Sequence, residues 1–303
     1  MKKLIPLLTL LLPTSLLATT YELPSEHFDV IGAPRTVVAA HEDTLVEIAR
    51  QSGIGLEQME RINPGVDMWL PGEGTKVTIP SHYVLPRVPR EGLVLNLPEM
   101  RMYYFPPRQA GRPAQVQTFP IGIGRETWAT PLGKTKITSK VKDPAWRPPE
   151  SIRKEHAEKG DPLPLIVPPG PDNPLGRYAM GLGIPGYLIH STNKPIGVGM
   201  RVSHGCIRML PEDIERLFPQ LPVGTPVNII NQPVKVGWHG GKLYIEVHPP
   251  LPEYPNDRGA MVEAAMLALN SATAGRQARL DSKAIEAELD RRTGLPQVIS
   301  LGG

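Results

Sequence analysis

The apolar positions between residues 36 and 80 fall into short blocks with two different periods. Val37 and Val38 open a strand. Leu45, Ile48 and Ala49 then recur at helical spacing, with Asp43 or Thr44 placed to cap that helix and Gly53 placed to end it. Leu56, Met59 and Ile62 mark a second helix, stopped by Asn63-Pro64-Gly65. Val77 and Ile79 form a closing strand. The pattern predicts a small α/β unit, strand–helix–helix–strand, over residues 35–82. Pro86 and Pro89 then predict an extended linker from Ser81 to Arg90.

From Gly92 strand patterns dominate. Leu93–Leu97 and Arg101–Phe105 flank a tight turn at Pro98-Glu99, as in a hairpin. Val116–Ile123 and Lys134–Ser139 are further strands, separated by the turn Thr130-Pro131-Leu132-Gly133. Ser151–Gly160 is polar and predicts a short exposed helix. Tyr187–His190 ends a strand on a histidine. Pro211 suits a first helical position, and Glu212 and Asp213 favour the helix dipole behind it. Val227–Ile230 closes a mainly β domain over residues 91–231, with one short helix after residue 210. Val234–Trp238 and Lys242–Val247 predict a hairpin (232–250). A helical tail follows (251–303), with Met261, Ala264, Ala265 and Leu269 on one face and Ile285 and Leu289 on another.

The first twenty residues follow a different logic. Lys2 and Lys3 precede the apolar run Leu4–Leu12, and Ser15–Ala18 ends on a small residue. This is the pattern of a secretory signal peptide (1–20), too short to span a bilayer, and it implies export to the periplasm. Without those lysines the chain holds 31 basic and 30 acidic residues, a balance that argues against nucleic-acid binding. No later segment is long and apolar enough to span a membrane.

Export makes the one cysteine, Cys206, informative. It has no partner for an internal disulfide, and its neighbours Ser203, His204, Gly205 and Arg208 do not make an apolar environment. A thiol nucleophile needs a base within reach. His204, two positions away, and His190, at a strand end, both qualify, and spacing alone does not choose between them. Gly205 leaves the backbone uncrowded enough for amides at 205 and 206 to face an oxyanion. Arg208 suits a substrate carboxylate or a tie to the following helix. A zinc site from His190, His204 and Cys206 lacks a fourth ligand at suitable spacing.

Two resemblances sharpen this. His190-Ser191 and Ser203-His204-Gly205-Cys206-Ile207-Arg208, with Ile121–Gly124, Thr130–Gly133 and Gly170–Gly176, resemble the L,D-transpeptidases of the YkuD type. Asp43-Thr44-Leu45, Ile48-Ala49, Asn63-Pro64 and Val77–Pro80 resemble a LysM domain, which binds N-acetylglucosamine polymers. The first resemblance implies a β-sandwich or barrel-like catalytic domain, Cys206 as nucleophile and His190 as base. It implies that the Ser191 carbonyl orients the imidazole. It also implies that Ser203, His204 and Gly205 support an oxyanion region, with the amides of residues 204–206 as donors. It implies peptidoglycan as substrate, a thioester intermediate, carbapenems as inhibitors, and neither metal nor organic cofactor. The stretches Pro168–Gly176 and Ile196–Val202 resemble the subgroup that anchors an outer-membrane lipoprotein to the wall, so a lipoprotein lysine is the expected acceptor. The alternatives are 3–3 crosslinking and a catalytically silent wall-binding scaffold.

Overall fold

The computed structural model describes residues 20–25 and 27–301. The expected leader, apart from Thr20, lies outside the described residues. Eight strands close into a barrel. In spatial order they are Arg101–Phe105, Ala114–Gly124, Ile207–Met209, Leu188–His190, Tyr178–Leu182, Gly133–Lys142, Pro226–Ile230 and Gly92–Asn96, which pairs back onto the first. Closure removes the unpaired edges that an open sheet would expose. Leu93, Leu95, Met102, Phe119, Ile121, Met180, Ile189 and Ile207 fill one continuous core, which Ile214 and Leu217 of the helix Pro211–Leu217 extend.

One strand organises the whole molecule. The first half of Ala114–Gly124 pairs with Thr20–Leu23, its middle with Arg101–Phe105, and its last residues with Ile207–Met209 and Arg201–Ser203. The segment around Cys206 is thus held at its far end. Leu188–His190 and Ile207–Met209 pair in parallel, which brings the candidate histidine and the cysteine segment side by side.

The predicted small unit is present as Arg35–Val38, helices Leu45–Gln51 and Leu56–Ile62, and Lys76–Ile79, with its two strands antiparallel. Thr44 is the cap: its Oγ1 accepts from the Glu47 amide at 3.0 Å. Asn63 clamps the second helix to the closing strand. Its side-chain amide donates to the Met59 and Thr78 carbonyls at 2.9 Å, and its Oδ1 accepts from the Thr78 amide at 2.7 Å.

The linker expected over Ser81–Arg90 is not a linker. His82–Val84 pairs with Val30–Gly32, and Tyr83, Val84 and Leu85 are buried. Leu45, Ile48, Met59, Val77 and Ile79 share a core with Val94, Tyr103, Phe105 and Val116 on the outer face of the barrel. Fully burying each such side chain contributes about 1.5–3 kcal/mol, so uncovering several would consume much of a domain's stability. Polar ties reinforce the joint. The buried Arg101 donates to the Gly53 carbonyl at 3.1 Å and lies over the Tyr83 ring, and Arg50 forms a bidentate pair with Glu212. The backbones of Gly55 and Gly199 touch, and a Cβ on Gly55 would stand 2.8 Å from the Gly199 Cα.

The hairpin Val234–His239/Lys242–Val247 is also present, and the helices after residue 251 pack on it. Val236, Trp238, Leu243 and Ile245 share a core with Met261, Ala265 and Leu269 of Arg258–Thr273 and with Leu289 of Ser282–Arg291. A short strand at Gln297–Val298 joins the same sheet. Among the described residues no helix is long and apolar enough to cross a membrane.

Candidate active site

His190 and Arg208 are paired across the parallel ladder. Paired residues project to the same side of a sheet, and residues two apart on one strand do so as well. His190, Arg208 and Cys206 therefore share a face, while Ile189 and Ile207 between them turn into the barrel core. The two strands lie about 4.8 Å apart, which puts imidazole and thiol within side-chain reach.

His190 is almost fully buried, and its Nδ1 lies 2.5 Å from the Ser191 carbonyl oxygen. A carbonyl only accepts, so Nδ1 carries the proton and Nε2 is left with its lone pair. Ser191 is itself fixed, its amide donating to the Tyr178 carbonyl at 2.9 Å. Gly176, at φ +61°, makes room for it: a Cβ there would meet the Ser191 Cβ at 2.7 Å. Burial and then the positive charge of Arg208 hold the His190 pKa down to about 4. Burial pushes the Cys206 thiol up, against the pull of the Leu188 backbone and Arg208. Burial thus disfavours the charged form of both groups, and the thiol donates to the Gly186 carbonyl at 3.7 Å.

The loop between the strands is shaped by local hydrogen bonds. Ser203 Oγ donates to the Cys206 carbonyl at 2.6 Å and accepts from the Gly205 amide at 3.1 Å. The Gly205 amide, expected to face an oxyanion, is thus already used. Gly205 itself sits at φ +98°, and a Cβ there would strike the Tyr187 ring at 2.7 Å, so no other residue fits without strain. The buried Thr130 staples this loop to the barrel: its Oγ1 donates to the Gly205 carbonyl at 2.9 Å and accepts from the Gly124 amide at 3.0 Å. In the sequence Thr130 reads only as part of a turn; its role depends on a contact 75 residues away.

His204 is engaged by a neighbouring helix. Its Nε2 lies 3.1 Å from Glu155 on the helix Glu150–Glu158, and its ring meets Trp128 edge-on at 5.2 Å. Glu155 also accepts from Arg125 and Lys159, and these partners hold its carboxyl down to about 2. His204 thereby anchors a helix beside the loop, and the three candidate zinc ligands do not converge. Arg208 makes no side-chain hydrogen bond or ion pair among the described residues, and its Nε is buried without a partner. The tie to the following helix is not formed. A partly buried guanidinium without a carboxylate suits a substrate carboxylate.

Comparison with known proteins shows the family. The family described as "YkuD: L,D-transpeptidase catalytic domain" matches residues 90–229. The probable L,D-transpeptidase ErfK/SrfK of Escherichia coli is 42% identical over 294 residues, which cover 94% of this chain and 92% of that protein. The probable L,D-transpeptidases YcfS and YbiS of the same species are each 38% identical and cover 92% of this chain, with 88% and 91% of their own lengths matched. The chain belongs to the L,D-transpeptidase family.

Proposed function

We propose that the protein is a periplasmic enzyme that takes the tripeptide acyl group of a peptidoglycan tetrapeptide stem, with release of D-alanine, as a thioester on Cys206 and transfers it to the C-terminal lysine of an outer-membrane lipoprotein. The observation that carries the chemistry is the buried His190. Its Nδ1 is committed to Ser191, its Nε2 is basic, and it lies on the same face as Cys206. Cys206 Sγ attacks the carbonyl between the L-centre of diaminopimelate and the terminal D-alanine as His190 Nε2 takes the thiol proton. The tetrahedral intermediate collapses, the C–N bond breaks, and the departing amine of D-alanine takes that proton. The acceptor amine then attacks the thioester and passes a proton through His190 to the leaving sulfur. The amides of His204 and Cys206 stabilise the oxyanion, since Gly205's is occupied. Arg208 receives a carboxylate of the donor stem.

Export rests on the residue pattern of 1–20, and wall binding by residues 35–82 on the resemblance to LysM. The second gains support from Trp69, which is 56% exposed on a turn held by Asp67 and offers an aromatic face for a sugar. The polypeptide acceptor is supported by the segment 161–176. Buried Asn173 donates to the Pro144 and Pro168 carbonyls and pins it, while Leu165, at 71%, and Ile166, at 42%, remain exposed. Asn193, three residues past the base, donates to the Asp172 carbonyl, so this apolar bank borders the active site. A rigid, exposed apolar bank suits a peptide partner better than a single amine. The test is expression in a host lacking its own enzymes of this family but containing the lipoprotein, followed by mass spectrometry of digested sacculi. Lysine-linked lipoprotein peptides are expected; abundant 3–3 dimers without them would assign the enzyme to crosslinking instead.

A further inference from the structure

One sizeable cleft among the described residues lies away from the thiol. It holds about 1100 Å³ and lies between the start of the strand Ala114–Gly124, the segment Leu85–Arg90, Trp238 of the hairpin and the end of the helix Arg258–Thr273. Arg87, Arg90, Arg108, Arg112 and Arg276 line it. Asp29 is the one acidic residue among its described lining residues, and its carboxylate is already on Arg90 at 2.7 Å. With Arg87, Arg112 and Arg276 beside that pair, the described lining is predominantly positive. The Arg276 guanidinium carbon lies 3.8 Å from the centre of the Trp238 ring, a cation–π contact that holds this charge at the cleft wall. Phe105, Val236 and Trp238 add apolar surface. A concave wall of like charge focuses the field and favours a polyanionic ligand, and arginine forks match carboxylates in particular.

Position narrows the choice. Ala114 and Gln115 line the cleft, while Gly124, at the other end of the same strand, touches the Gly205 loop. At about 3.3 Å per residue the two sites stand roughly 30 Å apart. A tetrapeptide stem spans at most about 14 Å, so a stem reacting at Cys206 does not reach the cleft. We infer that the arginine cleft binds the carboxylates of peptidoglycan stem peptides other than the one reacting, and so holds the polymer while Cys206 works on a neighbouring stem. This rests on the peptidoglycan reading of the active site. The free carboxylates that repeat along the wall's stems supply the polyanion.

The test is cosedimentation of the full chain, in a Cys206→Ala background to prevent covalent capture, with purified sacculi. The parent is compared with Arg87→Glu/Arg112→Glu, and with Arg87→Gln/Arg112→Gln as a gentler pair. Both arginines are exposed, and an unchanged Tm reports an intact fold. Reversal should weaken binding about tenfold at low salt, with a smaller loss for the neutral pair and a difference that shrinks as salt rises. On sacculi whose stems have been removed by an amidase, parent and variants should bind alike, through the sugar-binding unit alone. Equal binding of parent and variants to stem-bearing sacculi would overturn the inference, as would a difference that survives stem removal. Preferential capture of the parent by phosphatidylglycerol vesicles, with no difference on sacculi, would give the cleft to lipid. D-alanine release from a soluble tetrapeptide by the Cys206 protein is a separate readout. Its absence would sink the reaction assigned to the thiol and leave the binding result standing.

Discussion

Two groups of buried ionisable residues in this protein have opposite fates. Around Lys235 every charge is answered. Its ammonium lies 2.8 Å from Glu99 and 2.9 Å from Glu246; Glu246 also meets His248 at 2.6 Å and accepts from the Val84 amide, and Glu99 accepts from Tyr103. Burial works against the Glu246 carboxylate, yet Lys235 and His248 hold its pKa below the ordinary range. The cluster ties the barrel, the segment at Val84 and the hairpin together. Glu99, Glu246 and His248 are spaced like metal ligands, but the Lys235 ammonium already occupies the position between the two carboxylates. At the thiol the opposite holds. Among the described residues Arg208 has no anion and only one nitrogen of His190 has a hydrogen-bond partner. Leaving a buried polar group unpaired is costly, so a site that does so holds those groups for something that arrives.

The contrast is testable at both ends. The largest expected effect is at the base: His190→Ala should slow thiol acylation by about a thousandfold, the usual range for a lost general base, with the protein still folded at the assay temperature. His204→Ala should cost under about tenfold, because its ring serves Glu155. Stopped-flow acylation with a carbapenem measures both, and a reversed ranking would exchange the two roles. Next comes Lys235→Met, which removes the one ammonium that two buried carboxylates share. Breaking such a pair costs about 3 kcal/mol or more. For a chain of this size that lowers Tm by roughly 5–10 °C, with acylation at a permissive temperature little changed. A stable variant with a dead thiol would mean the cluster serves catalysis. The smallest effect belongs to Arg208→Gln, which should raise KM for a tetrapeptide donor about tenfold with a smaller change in kcat, the mark of a lost carboxylate contact. An unaltered KM would remove Arg208 from substrate binding.

How far the sequence reveals this depends on the range of the interaction concerned. The motifs around Cys206 and His190 are legible because they are local, although only the family resemblance singles out His190 over His204, and the Thr44 cap is legible for the same local reason. The strand Tyr178–Leu182 is not read because all five residues are buried in the closed sheet, which erases the alternation that marks a one-sided strand. The linker reading of Ser81–Arg90 follows the prolines and overlooks Tyr83, Val84 and Leu85, whose burial depends on a partner strand some fifty residues earlier. The pairing of His204 with Glu155 crosses 49 residues and leaves no local signal. The use of Gly205's amide by Ser203 depends on a φ of +98° at Gly205 that the sequence permits but does not dictate.

The central claim is that one sulfur carries the acyl group. Its most direct test mixes the protein with a soluble disaccharide tetrapeptide in the absence of an acceptor amine. Acid quench, intact-protein mass spectrometry and peptide mapping follow, with D-alanine quantified in parallel. The account predicts a protein mass raised by the donor less D-alanine, mapped to Cys206, reversed by hydroxylamine, and absent with D-alanine release from Cys206→Ala. D-alanine release by the alanine variant, or an adduct mapped to any other residue, would contradict it.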